Sequence, residues 1–232
     1  MSDQIDLFAQ KLGQSAEKIR TALIEEFVRA YRKGMANPES LLAMIEQTDF
    51  AEHILGDLGF QGEVEDVLQE YDQIAKNIIA QKIGRVNWQT IERLKDLDAL
   101  TFMNHVRDVG VELTRQMTMA VFGQTTEEAF RDALLKATAK LTEAQIGSLT
   151  NTALRTFERA TFADSVADLP DDAVFEYVGG SLIETSRDFC REWYGKQITK
   201  AELDRLTNDF GEPANIYAGG WNCRHSWELV TE

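Results

Sequence analysis

Between Asp3 and Lys33 the apolar residues Ile5, Phe8, Leu12, Ala16, Ile19, Leu23, Phe27 and Tyr31 recur at three- and four-residue steps. That spacing lines them along one face of a single long α-helix. A stripe of this length has to be covered, by the rest of the chain or by another protein, because tertiary packing supplies most of a helix's stability. We read it as a core-facing helix, with Ser2 as its cap and Gly34 as its stop.

The same period continues downstream. Asn37-Pro38 reads as a helix restart, with Asn37 as cap and Pro38 at the first helical position, and Leu41, Leu42 and Ile45 form its apolar face. The glycines from Gly56 to Gly62 read as a break. Helical spacing resumes from Glu63 to Ile83 through Val67, Leu68, Tyr71, Ile74, Ile78 and Ile79, and Gly84 ends it. Asn87-Trp88 opens a segment carrying Ile91, Leu94 and Leu97, and a further helix is expected from Thr101 to Phe122, stopped by Gly123. Thr125 to Glu128 and Thr142 to Gln145 have capping-box spacing. They predict helices over 126–140 and 143–162.

After Ala160 the texture changes. Asp168 to Asp172 is a polar turn, and Val174 to Val178 alternates and is rich in β-formers, which predicts a strand ended by Gly179-Gly180. Ser186 to Trp193 reads as a short helix. A third capping box, Thr199 to Glu202, opens a helix to about Asn208. Gly211 to Gly220 reads as loop and Ser226 to Val230 as a closing strand. The expected fold is α+β and predominantly helical, with a helical region over 1–124 and a small α+β module over 125–232.

Charge narrows the partners. The formal net charge is −15 and no basic run interrupts it, so non-specific binding to nucleic acid is disfavoured. No apolar run is long enough to span a bilayer, and the first residues have no basic segment leading into an apolar one. We therefore expect a protein made in a cytoplasm, with no membrane partner.

Chemistry-bearing residues concentrate in the tail. Two cysteines in a cytoplasmic chain do not make a disulfide framework. Cys190, Cys223 and His225 are three soft or borderline ligands, whereas a closed zinc site wants four. A fourth would have to come from Asp188 or from a distant residue such as His53 or His105. We prefer to read the cysteines as small buried hydrophobes and His225 as bonded to a backbone carbonyl, and expect no cofactor. A cysteine nucleophile with His225 as base lacks an orienting third group. Arg187, Arg191 and Arg224 read as internal ties between loops rather than as grips on an acidic ligand. His53 and His105, on helical segments without partners, read as structural. There is no Walker A sequence, Rossmann glycine pattern, HExxH or GxSxG. We expect no enzyme.

An ordered set of short elements remains: Thr152-Ala-Leu154, Phe175-Glu-Tyr177, Arg187-Asp-Phe-Cys190, Gly195-Lys196, Thr199 to Glu202, and Asn222-Cys-Arg224. In order and spacing this set, covering roughly the last 90 residues, resembles the C-terminal module of phage minor head proteins of the Mu F-like head morphogenesis family. Many members have His-Pro before Asn-Cys-Arg and a cysteine after it. This chain has Gly-Gly-Trp before and His225 after. The resemblance implies a minor structural component of a tailed bacteriophage head, inside the capsid or at the portal vertex of the virion. It implies the portal or major capsid protein as partner and a role in head assembly or DNA delivery, with packaged DNA met indirectly if at all. Arg187, Cys190, Gly195, Lys196, Asn222, Cys223, Arg224 and His225 are the candidate motif residues. The competing expectation is a small nuclease or transferase, or a metal-stapled DNA-handling protein, built on the same cysteines and histidine.

Overall fold

The computed structural model describes residues 2–37, 39, 56–80 and 87–230. Five helices carry most of the chain: α1 (Ser2–Ala36), α2 (Phe60–Ala80), α3 (Trp88–Phe122), α4 (Glu127–Ala137) and α5 (Glu143–Ser165). A smaller set of elements follows: β1 (Val174–Gly179), α6 (Asp188–Trp193), β2 (Gln197–Thr199), α7 (Lys200–Leu203), α8 (Ala214–Tyr217) and β3 (His225–Leu229). The fold is α+β and predominantly helical, with one small antiparallel sheet near the C-terminal end. Among the described residues no helix is long and apolar enough to cross a membrane.

Two compact units share these elements. One, helical in its described elements, comprises Phe8–Val67 and Leu97–Gly147; the other, mixed, comprises Met1–Leu7, Leu68–Asp96 and Ser148–Glu232. α1, α2, α3 and α5 each supply residues to both.

In the helical unit the α1 stripe is core: Leu12, Ala16, Ile19, Leu23, Phe27 and Tyr31 are all buried. Phe102, Val109, Leu113 and Met117 of α3 and Phe130 and Leu134 of α4 are buried too. α1 and the start of α5 approach closely at Gly13, where a Cβ would stand 2.6 Å from the Glu143 carbonyl oxygen. Arg20 ties α1 to the end of α4 by donating to the Thr138 carbonyl and hydroxyl, both at 3.1 Å.

Several helix boundaries differ from expectation. α1 runs through Gly34, which is buried in the final turn, and closes with Asn37 N donating to Gly34 O at 2.9 Å. α3 is one 35-residue helix where two segments are expected. The Thr101 hydroxyl bonds back to Leu97 O at 2.9 Å within the helix and does not cap a new one. The cap of α4 is Thr126, which accepts from Ala129 N, and not Thr125. Thr125 N is still bonded to Ala120 O, so the preceding helix holds it. The left-handed residue after α3 is Gln124 rather than Gly123. α2 begins at Phe60, so the expected break is confined to a turn in which Gly59 has φ +82° and Gly62 is helical. The helix expected from Pro38, and the end expected at Ile83-Gly84, lie outside the described residues.

In the mixed unit β1 is the central strand, in the order β2-β1-β3, antiparallel to both neighbours. Val174 faces Thr199, and Tyr177 faces Trp227. Alternation sends Phe175 and Tyr177 of β1, and His225 and Trp227 of β3, to the buried face. β2 and α8 are additions to the expected elements. The helix predicted from Ser186 starts at Asp188. The capping box at Thr199 and Glu202 forms in full, yet α7 spans only four residues.

The buried face of the sheet packs with Val166, Phe189, Leu203 and Ala214, and Phe162 of α5 meets Phe175 edge-on at 6.3 Å. Tyr71 of α2 meets Phe157 of α5 edge-on at 4.5 Å. From Ser148 to Ser165, α5 has no exposed position. It is the central post of this unit.

Candidate functional site

The site is built where α6, the loop after α8 and β3 meet over Tyr177. The Tyr177 hydroxyl lies 3.6 Å from both Cys190 Sγ and Cys223 Sγ, and the two sulfurs are 3.6 Å apart. His225 Nδ1 is 3.6 Å from Cys223 Sγ. Both thiols are free. Only 3% of Cys190, 4% of Cys223 and 6% of His225 is exposed, so no substrate has an open approach to a thiol. The His225 ring stacks on Tyr177 at 5.4 Å between centroids, inclined by 28°. The backbone carbonyl expected as partner for His225 is not there, and its Nε2 is buried without a hydrogen bond.

The backbone closes over the sulfurs at Gly219. A Cβ there would overlap Cys190 Sγ and stand 3.3 Å from Cys223 Sγ, so only glycine fits. The loop that delivers Gly219 is strained: Ala218 has φ +48°, Gly220 +92° and Asn222 +54°. Such a loop needs anchors, and α5 supplies them. Asn151 donates to Asn222 Oδ1 at 2.6 Å, and the Thr152 hydroxyl accepts from Asn222 N at 2.9 Å. Arg159 donates to Cys223 O at 2.7 Å and to Ile216 O at 3.2 Å. One turn back on α5, Arg155 meets Asp6 at 3.2 Å, and Asp6 also faces Arg224 at 3.6 Å.

The remaining motif residues hold the other side. Arg187, at the start of α6, donates to Trp221 O at 2.6 Å and lies 5.8 Å from the centre of the Phe210 ring. Arg191 donates to the carbonyls of Ile183, Glu184 and Ser186. Arg187 and Arg191 therefore tie loops through carbonyl oxygens, and Arg224 through a carboxylate. Gly195 has φ +75°, and its N–H donates to Tyr177 O at 2.8 Å. Lys196 O accepts from Tyr177 N at 3.0 Å, while the Lys196 ammonium sits 5.3 Å from the Trp193 ring centre. Gly195-Lys196 thus turns α6 into β2 beside Tyr177.

Electrostatics within the cluster are asymmetric. The hydrogen-bonding contact with Cys190 holds the Cys223 thiol below the usual thiol range; His225 and the buried Arg159 guanidinium act in the same direction. That contact, with burial, pushes Cys190 up. Burial also drives the Tyr177 hydroxyl up, keeping it a neutral donor.

Of the sequence candidates, Cys190, Cys223 and His225 converge. Asp188, in the first turn of α6, is not among the converging donors. His53 and the side chain of His105 lie outside the described residues. The sequence reading passes over Tyr177 as the centre of the cluster, Gly219 as its lid and Arg159 as its tether. A signal for the tether exists: Asn151, Arg155 and Arg159 fall at four-residue steps and are all buried. No family model matches the chain, and neither does any curated protein or solved structure.

Proposed function

We propose that this chain is a minor head protein of a tailed bacteriophage that docks on the portal or inner capsid and supports head assembly or DNA delivery. The observation that carries this reading is the ordered set of motifs resembling the Mu F-like head morphogenesis module. Arg187, Cys190, Gly195, Lys196, Asn222 and Cys223 all work within one small packed module. A set of short elements that folds into a single unit is a better mark of a family than any one of them alone.

Exposed apolar residues on α3 support an assembly role. Leu97, Leu100, Val111, Met119 and Phe122 are between 55% and 71% exposed. At 100° per residue they lie on the side opposite the buried Phe102, Val109, Leu113 and Met117, Leu97 with Leu100 and Val111 with Met119 and Phe122, with exposed Asn104, Asp108 and Arg115 on the same side. Exposed apolar patches of this kind mark protein–protein contacts. The α1 stripe is core and offers no such face.

The test is co-assembly. The full chain is co-expressed with the portal and major capsid proteins of its phage, and heads are isolated by sedimentation. The chain is expected in heads or on portal rings, and Leu100→Glu with Phe122→Glu is expected to release it while leaving its circular dichroism unchanged. A folded chain that never co-sediments with portal or capsid under any assembly condition removes this reading.

A further inference from the structure

We propose that Cys190, Cys223 and His225 form a binding site for a thiophilic divalent cation, with zinc as its natural occupant. The three donor atoms lie within 4.8 Å of one another and all three residues are buried. The separations suit ligands of a single ion. Two sulfurs at the usual zinc–sulfur distance on a tetrahedron stand about 3.8 Å apart, and a sulfur and a nitrogen about 3.5 Å. Here Cys190 Sγ and Cys223 Sγ are 3.6 Å apart, and Cys223 Sγ and His225 Nδ1 are 3.6 Å apart. A disulfide requires about 2.0 Å between sulfurs, so this pair is not a bridge.

The surroundings fit a cation. Tyr177 Oη closes a further side of the cluster, 3.6 Å from each sulfur. Gly219 brings bare backbone over the sulfurs where any side chain would collide with them. The arrangement joins three short segments, α6, the loop after α8 and β3; α6 has six residues and α8 four. Small units with so little regular structure are commonly stapled by a metal or a disulfide. Two thiolates neutralise a divalent cation, which suits a site at this depth. The donor set of two sulfurs and one imidazole selects a soft or borderline metal over magnesium or calcium. The inference stands independently of the assembly role proposed above.

The test uses the full chain. Protein is produced in zinc-supplemented medium, and bound metal is measured by elemental analysis and native mass spectrometry. We expect about one zinc per chain. We expect it to be lost in Cys190→Ser and in Cys223→Ser. Cobalt added to metal-free protein should give sulfur-to-cobalt charge-transfer absorption and the intense bands of a tetrahedral centre. Should the serine variants fail to fold, the wild-type cobalt spectrum and protection of both thiols from alkylation by bound zinc still decide the matter. Folded protein that stays metal-free in micromolar zinc with two reactive thiols overturns the proposal, as does an intramolecular disulfide.

Discussion

The Arg159 guanidinium, 4% exposed, donates to the main-chain carbonyl oxygen of Cys223 at 2.7 Å. A helix side chain thereby fixes the backbone of the residue whose sulfur lies at the middle of the candidate site. Arg159→Met fills much of the same volume but leaves the carbonyls of Cys223 and Ile216 without a donor. We expect a loss of about 3 kcal/mol in chemical denaturation, the usual scale for breaking buried bonds to a charged group. A loss below about 0.5 kcal/mol, the range of an ordinary surface change, means the loop holds itself.

Gly219 and Gly180 make a matched pair. A Cβ at Gly219 collides with Cys190 Sγ, whereas at Gly180 the nearest atom is Arg224 Cβ at 3.8 Å. Gly219→Ala is expected to cost about 2 kcal/mol through overpacking. Gly180→Ala should fall within about 0.5 kcal/mol of wild type. Equal melting temperatures for the two variants contradict the close approach at Gly219.

The cap of α4 is decided by one position. Thr126→Ala removes the bond to Ala129 N and should cost about 1 kcal/mol. Thr125→Ala removes no cap and should be close to neutral in urea titrations. The reverse order of effects would restore the capping box that the sequence suggests.

Glu158 should shape the pH dependence of stability. Its carboxyl is raised from the ordinary 4.5, mainly by burial, against the opposing fields of Arg155 and Arg159. A carboxyl whose folded value is raised binds its proton more tightly in the native state. Its contribution is fully present below pH 4.5 and is lost as pH rises through the folded value. Glu158→Gln is therefore expected to flatten the stability profile above that point and to melt higher than wild type at neutral pH. A variant that melts lower at neutral pH and matches wild type in acid contradicts this sign.

Periodicity made the helices legible, because burial alone decides them. α1 follows its stripe from Ile5 to Tyr31, and the strand at Val174 follows its alternation. What escaped was set by contacts remote in sequence. α3 continues past Leu97 because nothing in the helix breaks it, and a threonine at 101 is no cap unless the chain turns there. β2 has three residues and exists only because β1 offers an edge. Within the site, the cysteines and histidine were visible as residue types. Their separations depend on a loop with three left-handed residues, pinned by Asn151, Thr152 and Arg159. Of those three partners only Asn151 and Arg159, at four-residue steps with Arg155, leave any trace in the sequence.

The placement of β1 between β2 and β3 bears on how the chain matures. On the ribosome β1 emerges long before β3, its principal partner, and neither Tyr177 nor Phe175 has a complete enclosure until the last elements arrive. The opening turn of α1 waits as well, since Asp6 finds Arg155 and Arg224 only among residues made much later. During synthesis one edge of the central strand is a bare hydrogen-bonding template beside buried-type aromatics, the kind of surface that captures a neighbouring nascent chain.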